Sequence, residues 1–140
     1  MATRKISIVL YSDDSTVRAS IKAALGQKVA PELPEHVIHE FATADALRLF
    51  VDSKKPDSDS PIDLYILDGE AVPEGGMGVA RQLKDEQFNC APVLLVVGRK
   101  EDRWLAAWSR AEATIIHPID PFTLATTVAD LLHQRFAATA

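Results

Sequence analysis

The stretch Ile62-Asp63-Leu64-Tyr65-Ile66-Leu67-Asp68-Gly69 decides the fold. Its apolar part, Leu64 to Leu67, shows no alternation, which marks a strand buried on both faces. Such strands lie in the middle of a parallel sheet covered by helices. The run ends in a carboxylate and then a glycine, which lets the chain turn away without a side chain in the path. In open α/β sheets, ligand chemistry collects just past the carboxyl ends of the strands. Asp68 is expected to stand there.

Working outward, Ile6 to Tyr11 is rich in β-branched residues and predicts a first buried strand, ending at Ser12-Asp13-Asp14-Ser15. Val17, Ile21, Ala24 and Leu25 follow at helical spacing, predicting a helix from about Thr16 to Lys28 with Gly26 near its end. His36 to Phe41 predicts a second strand at the sheet's edge. Thr43 can cap a short helix carrying Ala46, Leu47, Phe50 and Val51. The polar tract from Asp52 to Pro61 reads as a surface loop. After Asp68, a glycine-rich loop leads into a helix from about Met77 to Gln87. Val93 to Val97 predicts a fourth strand. A helix with Trp104, Leu105, Trp108 and Ala111 comes next, and Ala113 to Ile116 is a fifth strand, stopped by His117-Pro118. Asp120 caps a last helix with Pro121 at its first position, where proline is tolerated.

Five strands alternating with five helices predict an α/β fold: one parallel sheet with right-handed crossovers and helices on both faces. The default is the flavodoxin-like (βα)5 doubly wound sandwich with strand order 2-1-3-4-5. Strands one and three are then neighbours, which brings Asp13 and Asp14 beside Asp68. Crowded carboxylates suit a hard divalent cation such as Mg²⁺. Phosphoryl transfer at such a site depends on positioning and charge neutralisation, and a carboxylate can be the nucleophile. The plainer expectation for one of Asp13 and Asp14 is a helix cap.

The 140 residues amount to about one domain, 47% hydrophobic and 25% charged, large enough to bury a core unaided. A net charge of -5 argues against a general nucleic-acid binder. The single cysteine, Cys90, excludes an internal disulfide and fits a reducing cytoplasm. No apolar stretch approaches the ~20 residues that span a bilayer.

From Ile6 to about Phe136 the chain resembles the receiver domains of two-component response regulators. Asp68 lies where that family carries its phospho-accepting aspartate. Gly76 matches the glycine that opens the third helix, and Leu83-Lys84 an aliphatic-basic pair on it. Pro92 to Val96 looks like the fourth strand, and Pro118 matches the proline of a Lys-Pro pair. The resemblance implies a magnesium site built from Asp13, Asp68 and the backbone carbonyl of Glu70, with Asp14 a further candidate.

The departures concern the switch. With Arg18 fixing the register, Ser12 and Asp13 align with the family's acidic pair; a one-residue slip would restore the pair as Asp13 and Asp14 but displace Arg18. Val97 replaces a Thr or Ser whose hydroxyl bonds the phosphoryl group, and valine cannot donate. His117 replaces the lysine; it can still donate, more strongly when protonated. Thr114 replaces an aromatic. Glu70 is read as solvated, or alternatively as a fixed negative charge that mimics phosphorylation. Trp104 and Trp108, one helical turn apart, are expected in the core, or else in an interaction patch. His39 and His133 are expected at the surface, and Cys90 in the interior.

The expected function is that of an atypical single-domain receiver spanning residues 1–140, with no output domain. It would act in the cytoplasm by binding another protein, a sensor kinase or a downstream target, with weak Mg²⁺ binding and weakened or lost phosphorylation. The alternatives are an ordinary phospho-accepting receiver, with His117 in the lysine's role, and a metal-dependent phosphatase with Asp68 as nucleophile and Glu70 as general acid.

Overall fold

The computed structural model describes residues 5–54, 61–87, 90–99 and 103–139, and for residues 103, 105, 106 and 137–139 the backbone only. The surface-loop reading of the Asp52–Pro61 tract falls largely outside them, as does the side chain of Leu105.

In chain order the elements are β1 (Ile6–Tyr11), α1 (Ser15–Leu25), β2 (His36–Phe41), α2 (Ala44–Asp52), β3 (Leu64–Asp68), α3 (Gly76–Glu86), β4 (Val93–Val97), α4 (Arg103–Ser109), β5 (Ala113–Ile116) and α5 (Pro121–Thr139). The strands form one parallel sheet in the order β2-β1-β3-β4-β5, as the alternating pattern predicts. Every residue of β1, β3 and β4 is buried, so the unalternating apolar runs mean what they suggest. β2, at the edge, is only partly buried.

The two-residue period of the strands divides the core. Val9, Tyr11, Leu67, Leu95 and Val97 face α2 and α3. Ile8, Leu10, Ile66, Leu94 and Val96 face α1 and α5, where Ile21, Leu124 and Val128 meet them. Each side chain fully withdrawn from water contributes about 1.5–3 kcal/mol. At the amino edge of the sheet, Asp63 is fully buried. Its carboxylate accepts from the Ser7 N–H at 2.9 Å and pairs with Arg135 Nε of α5 at 3.7 Å, which satisfies a charge otherwise costly to bury.

Helix ends follow local chemistry. Asp14 caps α1, its Oδ1 accepting from Thr16 N–H at 2.8 Å, and Thr43 caps α2 through Ala46 N–H at 3.2 Å. α1 stops at Leu25, ahead of Gly26, three residues short of the sequence expectation.

Candidate functional site

The register of β1 against β3 pairs Tyr11 with Leu67, so the next residue of each strand, Ser12 and Asp68, meet at the carboxyl edge. Asp68 is 3% exposed. Its Oδ2 accepts from the fully buried Ser12 hydroxyl at 2.7 Å. Its Oδ1 accepts from the Glu70 N–H at 2.9 Å. From the far side, His117 Nε2 lies 3.5 Å from Oδ1. His117 is placed by the β4–β5 ladder, its N–H donating to Val97 O at 2.9 Å, and the His117–Pro118 bond is cis.

Two neighbours hold the floor of the site. Arg18 Nη1 donates to Ser12 O at 2.6 Å, which pins the loop after β1. α3 begins against the Asp68 backbone: a Cβ on Gly76 would stand 2.8 Å from Asp68 O. Only glycine lets the helix start so close.

The other sequence candidates are placed as follows. Asp13 and Asp14 are exposed, and Asp14 spends its side chain on the α1 cap. The Val97 side chain is fully buried and Thr114 partly so. Glu70 is exposed, yet its Oε1 accepts from Gly98 N–H at 3.0 Å, a tie between the loops after β3 and β4. Trp104 and Trp108 are 69% and 50% exposed, so the expectation that they fill the core does not hold. The Trp108 carbonyl accepts from Arg81 Nη1 of α3 at 2.7 Å, and the Arg81 guanidinium lies over its ring. His39 is not a plain surface residue: it is half-buried with its ring 4.7 Å from that of Phe50, and burial, then the Lys54 charge, holds its pKa below the ordinary histidine value. His133 is exposed and 2.9 Å from Glu32. Cys90 is half-buried, and burial pushes its thiol pKa up, away from nucleophilic reactivity.

One network near the site has no signal in the sequence. The buried Tyr11 hydroxyl donates to Glu74 O, and the Glu74 carboxylate pairs with Arg48 of α2. Burial, then the negative charges of Glu74, Asp13 and Asp68, raises the Tyr11 pKa, which keeps the phenol a neutral donor.

The donor set falls short of a preformed magnesium site. Among the described residues no group of three or more His, Cys, Asp or Glu side chains could hold a metal ion. Where an acid is expected, Ser12 directs its proton at Asp68 instead.

No protein-family model matches the chain. An uncharacterized response regulatory protein of Mycobacterium tuberculosis strain H37Rv is 46% identical over 127 residues, covering 91% of each chain. Among solved structures, the fold is similar to the signal receiver domain of an HD domain-containing protein from Pseudomonas fluorescens, with TM-score 0.77, 17% identity and coverage of 99% of this chain and 95% of that one. It is equally similar to the signal receiver domain of a putative repressor protein from Vibrio parahaemolyticus, with TM-score 0.77, 18% identity and coverage of 97% and 96%. A strand-end Asp68 on the 2-1-3-4-5 sheet thus coincides with a 46% identical match to a response regulatory protein over 91% of the chain. The chain belongs to the family of response regulatory proteins, and its fold is that of their signal receiver domains.

Proposed function

We propose that this receiver accepts a phosphoryl group on Asp68 and that His117 takes the part of the lysine. The observation that carries the reading is the placement of a nearly buried carboxylate opposite a donor-capable imidazole, 3.5 Å from Oδ1. Ser12 and the Glu70 N–H fix the rotation of the carboxylate, so the nucleophile is oriented in advance. The imidazole N–H would then donate to an anionic phosphoryl oxygen, a charge-assisted bond. Partners are a sensor kinase upstream and another protein downstream, met at the face carrying Trp104 and Trp108.

A weakened switch is the second reading. It is favoured by Val97, whose buried side chain offers the phosphoryl group no hydroxyl.

Incubation with a small phosphodonor such as acetyl phosphate, read by intact mass, tests the first reading. The wild type should gain the mass of one phosphoryl group and Asp68→Asn should not. Labelling that survives in Asp68→Asn, or fails in the wild type, overturns it.

A further inference from the structure

The amide of Gly98 is the first backbone donor beyond the end of β4, whose ladder with β5 closes at Val97 and His117. Its N–H is not left to water: the Glu70 carboxylate takes it at 3.0 Å. The carboxylate lies close against Gly98: a Cβ there would collide with Glu70 Oε1, so any larger residue would push the side chain off the amide. The Glu70 backbone N–H meanwhile donates to Asp68 Oδ1, so one residue grips the phospho-acceptor with its main chain and the β4 loop with its side chain. We propose that Glu70 is a tethered anion that occupies the Gly98 amide in the resting protein and competes with the incoming phosphoryl group for it.

The competition follows from charge and donor supply. A phosphoryl group on Asp68 brings anionic oxygens that seek N–H or O–H donors. Val97 supplies none; beside the Ser12 hydroxyl and the Glu70 N–H, which already serve Asp68, the further donors at this edge are the His117 ring and the Gly98 amide. The Glu70 carboxylate has the same sign as the arriving group and holds the donor it needs. In this scheme a phosphoryl group that takes the Gly98 amide displaces Glu70, and the β4 loop changes its anchor when it does. Glu70 is a positioning residue in this scheme, acting through Gly98. The inference rests on Asp68 being the phospho-acceptor.

Two measurements separate the inference from that reading. The first uses no phosphate. In Glu70→Ala the Gly98 amide proton should move upfield and exchange with solvent faster; an unmoved Gly98 resonance overturns the inference and leaves the Asp68 reading intact. The second follows labelling by limiting acetyl phosphate, in which an Asp68 oxygen forms the new O–P bond while the bond to acetate breaks and acetate leaves with the electron pair. Loss of one such hydrogen bond corresponds to about a fivefold change in rate. Glu70→Ala should label about fivefold faster than wild type, with Glu70→Gln, a neutral acceptor of the same shape, between them. The difference should persist at about 1 M salt, where through-space repulsion is screened beyond ~3 Å. Equal rates, or a difference that vanishes in salt, overturn the competition alone. Labelling in neither protein overturns the phospho-acceptor reading and the competition with it.

Discussion

Ser12 gives Asp68 a neutral hydrogen-bond donor at 2.7 Å where a second acid would give it a repelling charge. A carboxylate with a donor on each oxygen has less need of a cation, and less free lone-pair density to offer one. Mg²⁺ is expected to bind in the millimolar range or worse, about -4 kcal/mol at 1 mM. Ser12→Asp should tighten it by about tenfold, or ~1.4 kcal/mol. Calorimetry on wild type, Ser12→Asp and Asp68→Asn decides the point, and equal affinity in wild type and Asp68→Asn would place the ion elsewhere. The position of Asp68 was legible because an apolar run ending in Asp-Gly has few alternatives. The Ser12–Asp68 and Glu70–Gly98 bonds were not, since both depend on how two loops from distant sequence approach each other.

β2 shows what an edge strand asks of its first residue. His36 N–H donates to Gln27 O at 3.1 Å, and its Nε2 sits 2.7 Å from Gly26 O, joining the strand to the end of α1. That bond makes Nε2 the protonated nitrogen and leaves Nδ1 buried without a partner. Burial lowers the His36 pKa, against the opposing effects of the Gly26 bond and the Glu35 charge. The unfolded chain takes up a proton near the ordinary value of about 6.5 while the folded one resists. Stability is therefore full above about pH 6.5 and falls as the pH drops toward the lower folded value. His39, on the same strand and lowered for the same reason, adds to the effect. The urea midpoint should fall between pH 7 and pH 5, and by less in His36→Gln, whose amide nitrogen can keep the Gly26 bond. An equal fall in both proteins would assign the acid sensitivity to other groups. α4 teaches the converse lesson about legibility. The four-residue spacing of its tryptophans places them on one face but does not say whether that face looks inward, and here it looks out.

At the scale of the whole molecule, a sheet buried on both faces made the strands readable, while its carboxyl edge gathers the groups on which any switch depends. Both tryptophans of the chain lie on α4, exposed, so indole emission reports on that helix alone. A phosphoryl group shifts a two-state equilibrium only through contacts that differ between the states. His117 and the Gly98 amide can supply such contacts; Val97 and Thr114 cannot supply the hydroxyl bond or the turning ring. Moving an equilibrium from 1:99 to 99:1 takes about 5.5 kcal/mol, and two charge-assisted bonds at ~1.5–3 kcal/mol each reach that only at their upper limit. Phosphorylated wild type should therefore show a partial change in indole emission and in quenching by acrylamide, absent in Asp68→Asn. Val97→Thr keeps the side chain's shape and adds a donor, so it should enlarge that change. It should also lower the resting stability by about 1–3 kcal/mol, because the hydroxyl is buried until the phosphoryl group arrives. An amplitude unaltered in Val97→Thr would mean that the missing hydroxyl is not what limits the switch, and that Glu70's hold on Gly98 is the remaining restraint to test.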